Sequence, residues 1–203
     1  MGPETSRSRL PDRTTDEALL ARAAQGEEAA FLALYERYRD AIYRFAYRLL
    51  GSAALAEDVT HDCFLGLLKR PEGFDPARAS LRTYLYAAAR NLAHKQFRRP
   101  RVEVTLAELH AEPQATPAQQ PLRQLLAAEL GETVRRAVDS LPLLQREALV
   151  LFEYEELSLA EIASVVGADV GAVKARLARA RENLRRQLAP YLASDAGARE
   201  WEQ

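Results

Sequence analysis

Apolar residues recur along this chain at helical spacing, with polar runs between them that carry the punctuation of helix ends. A short helix is predicted from Asp16 to about Gly26, burying Leu19, Leu20 and Ala23. The next stripe, Phe31, Leu34, Tyr35, Tyr38, Ile42, Phe45 and Leu49, is closed by Gly51 and reads as core. A third helix, from about Ser52 to Leu68, turns Leu55, Val59, Cys63 and Leu67 inward and Glu57, Asp58, His61 and Asp62 outward. Residues 70–79, with Pro71, Gly73 and Pro76, mark a loop. Ser80 then caps a fourth helix that buries Leu81, Tyr84, Leu85, Ala88 and Leu92. From Pro100 to Pro121 four prolines and few large apolar residues predict an extended linker. Beyond it Leu122, Leu126, Leu130, Val134, Ala137 and Leu141 make one amphipathic helix. Pro142 opens another, with Leu144, Ala148, Leu151 and Phe152 for burial. No strand pattern and no repeat is found. The fold class predicted is all-α, two small helical domains on a flexible linker.

The stretch SLAEIASVVGADVGAVKARLARARENLRR, Ser158 to Arg186, is the most informative. Ser158 and Glu161 form a capping box, Leu159, Ile162, Ala163 and Val166 share one face, and Gly167 supplies a left-handed stop. Asp169 caps a second helix that turns Val173, Leu177, Ala180 and Leu184 one way. The other side carries Lys174, Arg176, Arg179, Arg181, Arg185 and Arg186. Two helices joined by a tight glycine turn, the second strongly basic, fit a helix-turn-helix with a major-groove recognition helix. Pro190 is expected to end that helix.

Charge changes the picture only through its distribution. Twenty-eight basic and 29 acidic side chains nearly cancel over 203 residues, yet cations concentrate at residues 90–101 and 174–186. Two basic helices on a near-neutral chain suggest two contact sites on a polyanion. In the first cluster Asn91, Lys95 and Arg98 share an exposed face, with Phe97, Tyr84 and Tyr86 available to stack on unpaired bases. Cys63 is the sole cysteine, which excludes an internal disulfide and multi-cysteine zinc sites. Consecutive His61, Asp62 and Cys63 project about 100° apart on a helix and cannot converge on one metal. No nucleophile–base pair and no phosphate-cradling glycine loop is found, so neither catalysis nor a cofactor is expected. No apolar run approaches a membrane span, and the N-terminus lacks a secretory core, so a cytoplasmic protein is expected.

Two ordered blocks give these features a common source. Phe31–Arg99 contains FLALYERY, IYRFAYRLLG, AEDVTHDCFLGL, LRTYLYAAARNLA and FRR. Leu141–Leu188 contains LPLLQREALVL, the helix-turn-helix and the basic tail. In this order and spacing they resemble a bacterial RNA polymerase sigma factor of the extracytoplasmic-function (ECF) group, which keeps sigma domains 2 and 4. The resemblance implies a tail at 1–15, domain 2 at 16–99, a linker at 100–121, domain 4 at 122–192 and a frayed end at 193–203. It implies docking of Glu57, Asp58, His61, Asp62 and Phe64 on the β′ clamp helices of core polymerase, with the β flap as a second contact. It implies a loop Gly73–Ser80, including Phe74 and Asp75, that holds a flipped base of the −10 element. Asn91, Lys95, Arg98 and Arg99 would contact that element as it melts. Gly171, Ala172, Lys174, Ala175, Ala178 and Arg179 would read the −35 element, and Arg176 and Arg181 would touch phosphates. An anti-sigma factor is the further partner implied. The alternative is a sigma-like decoy that occupies an anti-sigma factor without binding DNA; the two retained basic clusters count against it. The chain departs from the family pattern, which commonly has Trp at Tyr84, an acid at Lys95, Gln at His61, and Thr and Ser at Ala172 and Ala175. Two lost hydroxyls leave methyl contacts in the groove, so family promoter preferences do not transfer.

Overall fold

The computed structural model describes residues 14–98 and 121–198. The regular elements it places there are helical, and they divide into two compact units, one centred on the first four helices. The expected N-terminal tail up to residue 13, the linker up to residue 120 and the last five residues lie outside the described residues.

In the first unit α1 spans Asp16–Ala24, α2 Glu28–Leu50, α3 Ala53–Lys69 and α4 Leu81–Arg98. Their starts and stops follow from local chemistry. The Thr15 and Ser52 hydroxyls accept the Ala18 and Leu55 amides at the starts of α1 and α3. Gly51 ends α2 at φ 67°, donating its amide to Tyr47 O; a left-handed residue there lets the chain reverse within three residues. The Ser80 hydroxyl accepts the Thr83 amide at the start of α4.

The core of this unit is Leu34, Ile42, Phe45 and Leu49 of α2 against Val59, Phe64 and Leu67 of α3 and Leu81, Leu85 and Tyr86 of α4, all buried. Phe45 and Tyr86 meet edge to face at 5.3 Å. Ala88 and Leu92, expected inside, are only half-buried, because α4 turns Ala89 and Ala93 to the core and lets the helices approach over methyl groups.

The second unit contains α5 (Pro121–Asp139), α6 (Leu143–Leu149) and α8 (Val170–Ala198); α7 spans Leu159–Val166, between α6 and α8 in the chain. Val138, Leu141, Leu149 and Ala180 form a buried cluster, with Val134 and Leu184 packed against it. Leu130 and Leu144 are exposed instead of buried; α5 brings Val134 and Val138 to the cluster, and α6 turns Glu147, Ala148 and Leu149 inward. The side chains expected inward at Leu122 and Leu126 lie outside the described side chains.

Two departures concern helix ends. Pro190 lies inside α8, which continues to Ala198; a proline removes one amide–carbonyl bond, and here the helix passes through that loss. The frayed end expected from residue 193 is therefore helical to residue 198. A π-helical turn, Val150–Tyr154, follows α6, and Glu156 beyond it adopts φ 52°, the one positive φ at a non-glycine residue in the described chain. This left-handed residue turns the backbone into the α7 cap at Ser158, and a β-carbon there costs about 1–2 kcal/mol. Glu156→Gly is expected to stabilise the second unit by about 0.5–1 kcal/mol, read as a higher urea midpoint at unchanged slope.

Candidate nucleic-acid and polymerase interface

Helix α3 offers an acidic surface. Glu57, Asp58, His61 and Asp62 are all exposed. Phe64, grouped with them on sequence, is not: it is 2% exposed and packs edge to face on Tyr35 at 4.9 Å. Two helical turns beyond Glu57 it falls on nearly the same azimuth, in the row of Thr60, where α3 packs on α2, so it anchors the edge of the acidic face on Tyr35. Cys63 donates its thiol to Leu85 O at 3.5 Å, and burial pushes its pKa up to about 12. A thiol held neutral in the core is not a nucleophile.

The segment between α3 and α4 is shaped by its own hydrogen bonds. Asp75 Oδ1 accepts the Ala77 amide at 2.9 Å, and the Asp75 carbonyl accepts those of Arg78 and Ala79. Phe74, expected as a base contact, is buried, edge to face with Tyr84 at 5.7 Å. A loop this polar needs one apolar anchor, and Phe74 is that anchor. A Cβ on Gly73 would come within 3.3 Å of Tyr84 Oη, so the loop lies close over the tyrosine. Burial raises the Tyr84 phenol, with Cys63 and Glu72 adding to the shift. Tyr86, read as a stacking candidate, is 1% exposed and belongs to the core. Along α4, Asn91 and Lys95 are exposed one turn apart, and Phe97 is 45% exposed. Arg98 closes the helix without a described side chain, and Arg99 lies outside the described residues.

The helix-turn-helix is built as its sequence dictates. Ser158 Oγ accepts the Glu161 amide at 3.3 Å, and Glu161 accepts the Ser158 amide at 2.9 Å. Gly167 stops α7 at φ 63°. Asp169 Oδ1 then accepts the Ala172 amide at 2.8 Å. A Cβ at Gly171 would lie 2.9 Å from that oxygen, so glycine is what lets the cap close. Val173, Leu177 and Ala180 are buried, while Gly171, Lys174, Ala178 and Arg179 are exposed, with Ala172 and Ala175 half-buried between them.

The two arginines assigned to phosphates behave differently from Lys174 and Arg179. Arg181 pairs with Glu153 at 2.8 Å and lies over the Phe152 ring at 5.3 Å. Arg176 is half-buried, and its Nη1 is buried without a hydrogen-bond partner among the described residues. Sequence alone did not show the hold on Arg181, since Glu153 lies 28 residues away and only the π-helical turn brings it close.

Comparison with known proteins decides the family. Residues 34–102 match the model for sigma-70 region 2, and residues 131–184 match that for sigma-70 region 4. The chain belongs to the ECF RNA polymerase sigma factors. It is 33% identical to ECF sigma factor SigW of Bacillus subtilis, over 81% of this chain and 91% of that protein. It is 36% identical to ECF sigma factor BldN of Streptomyces coelicolor, over 89% of this chain and 70% of that one. Among solved structures it resembles CnrH, determined in complex with the cytosolic domain of CnrY. That likeness has a TM-score of 0.63 and 27% identity, and covers 86% of this chain and 97% of the other. As a member of this family the sigma factor acts in transcription initiation, binding core RNA polymerase and promoter DNA, and is not an enzyme. None of the described helices is long and apolar enough to cross a membrane.

Proposed function

We propose that this sigma factor docks on core polymerase through the exposed carboxylates of α3, reads the −35 element with α8 and supports melting at the −10 element. The observation that carries the reading is the separation of charge by element. Glu57, Asp58 and Asp62 stand exposed on α3, whereas the exposed cations Lys174 and Arg179 stand on the helix that follows a capped glycine turn. The acidic patch would meet the β′ clamp helices, and the second unit the β flap. Phe64 and Phe74 support these surfaces from within. The loop around Asp75 would hold the flipped base, with Asn91 and Lys95, joined by Arg98 and Arg99 at the end of α4, on the melted strand. Opening a base step costs a few kcal/mol, which base capture and polymerase contacts together offset. On α8, Gly171, Ala172, Ala175 and Ala178 would line the groove, offering methyls where hydroxyls could have donated. Lys174 and Arg179 would contact DNA directly, while Arg181 would reach a phosphate only by leaving Glu153.

An anti-sigma factor is the regulatory partner proposed. The CnrH relative was determined in complex with the cytosolic domain of another protein, CnrY, and a protein partner of that kind is what the proposal needs. The domain limits proposed are residues 16–99 and 122–192, joined by the segment between them.

The DNA part is tested by substituting Lys174→Ala and Arg179→Ala and measuring holoenzyme binding to promoter duplex against salt. Each cation removed from the groove is expected to lower the slope of log K on log[salt] by up to about 0.9. A slope unchanged in both variants would remove α8 from the interface.

A further inference from the structure

Between α2 and α3 in the first unit lies an open groove of about 310 Å³, lined by Tyr35, Arg39, Asp40, Tyr43, Glu57, Thr60 and His61. Its chemistry is unusual for a surface cleft beside an acidic helix face. Two half-buried tyrosines and two exposed carboxylates, Asp40 and Glu57, converge on it. Thr60 closes its floor, buried, with its hydroxyl donated to Ala56 O at 2.7 Å. One wall is rigid: Tyr35 is braced by Phe64 at 4.9 Å and Phe31 at 6.0 Å.

The groove already holds a cation of the protein's own. The Arg39 guanidinium lies 5.8 Å from the Tyr35 ring centroid, and its Nε is 3.1 Å from Asp40 Oδ1. Arg39 is nevertheless half exposed, and its partner Asp40 is the adjacent residue, so this pairing is weak and exchangeable. The Tyr43 phenol is raised by burial, and the Glu57 carboxylate adds to the shift, in keeping with a negative potential over the groove. Such a combination of ring faces and carboxylates suits a guanidinium, which stacks and donates in one plane, better than it suits an ammonium. A volume near the low end of ligand sites fits one extended side chain, not a helix.

We propose that the groove between α2 and α3 is a receptor for one arginine side chain of core polymerase, which displaces Arg39 from Tyr35 and Asp40. This rests on the reading of the α3 carboxylates as the polymerase-docking face and adds to it a defined anchor at the edge of that face. Charge complementarity selects the occupant: Glu57, Asp58 and Asp62 are exposed around the groove, and α3 carries no lysine or arginine before Lys69.

The test has two arms, both on the full chain. In the first, N-acetyl-arginine amide is titrated into the ¹⁵N-labelled protein, with N-acetyl-lysine amide as the comparison. Arginine amide is expected to shift the amide signals of Tyr35, Asp40, Tyr43 and His61 at millimolar concentration, and lysine amide several-fold less. Arg39→Ala should tighten that binding two- to threefold, because it removes the resident competitor. Asp40→Asn with Tyr43→Leu should abolish it, whereas Tyr43→Phe, which keeps the ring, should stay within twofold. No local response to arginine amide, or a weaker one in Arg39→Ala, would overturn the proposal.

In the second arm, affinity for core polymerase should fall about tenfold or more in Asp40→Asn/Tyr43→Leu, with Tyr43→Phe near wild type. Arginine-amide binding without any loss of core affinity would overturn polymerase as the source of the arginine. Asp58→Lys separates the two readings: it should lose core binding while keeping the arginine-amide response. Retained core binding in Asp58→Lys would instead refute the docking face on which this proposal builds.

Discussion

Replacing Asp58 and Asp62 together with lysine is expected to abolish binding to core polymerase and, with it, transcription from every promoter this sigma factor serves. Both side chains are exposed, with no core packing to lose, so the fold should survive with an unchanged melting curve. The effect lies at the interface, where two attractive charges become two repulsive ones. Juxtaposed like charges cost several kcal/mol, and about 3 kcal/mol already weakens binding on the order of a hundredfold. Loss at all promoters alike is the diagnostic feature, since a DNA-contact variant would discriminate between sequences. Affinity measured with labelled sigma factor and purified core polymerase, beside a melting curve of each variant, checks both halves.

Phe45→Ala is expected to have the largest effect on stability. Phe45 is fully buried and joins α2 to α4 through its edge-to-face contact with Tyr86. Truncating a buried phenylalanine costs about 3–5 kcal/mol, through lost transfer energy and the cavity left behind. A small domain holds only about 5–15 kcal/mol in total, so the first unit should be largely unfolded at modest urea concentration. Phe45→Leu, which refills most of the cavity, should recover more than half of the loss. Urea titration followed by far-UV circular dichroism reads both variants. Function should follow stability, because α4 carries Asn91 and Lys95 and is held to α2 by this contact.

What the sequence made legible follows from how local its determinants are. Helix starts at Ser80, Ser158 and Asp169 and stops at Gly51 and Gly167 are each written within four residues, and each is built as expected. The inward stripe of α2 was readable for the same reason. Side chains one position off a helical stripe were harder to place. Phe64, Phe74 and Tyr86 are aromatic residues beside functional segments, and sequence could not tell a contact residue from the anchor behind it. Burial decides that, and burial depends on which neighbouring helix arrives. Leu130 and Leu144 fail in the opposite sense, lying on a face that no described partner fully covers. Pro190 shows the limit of a breaker signal, since a long helix can tolerate one missing bond. The Glu153–Arg181 pair and the α2–α3 groove were invisible because they join residues distant in sequence, and no periodicity encodes such a meeting. Within α2 alone, Tyr35, Arg39 and Tyr43 at four-residue spacing do mark one face, which is the only local trace the groove leaves.

Bound to core polymerase, this sigma factor is expected to turn it into a promoter-specific enzyme. Run-off transcription with core polymerase on a genomic promoter library, with and without this protein, tests it most directly. Transcripts should start at a defined set of sites only when the protein is present and should vanish with Asp58→Lys/Asp62→Lys. Transcription that is the same with and without it, from polymerase that demonstrably binds it, would refute that role.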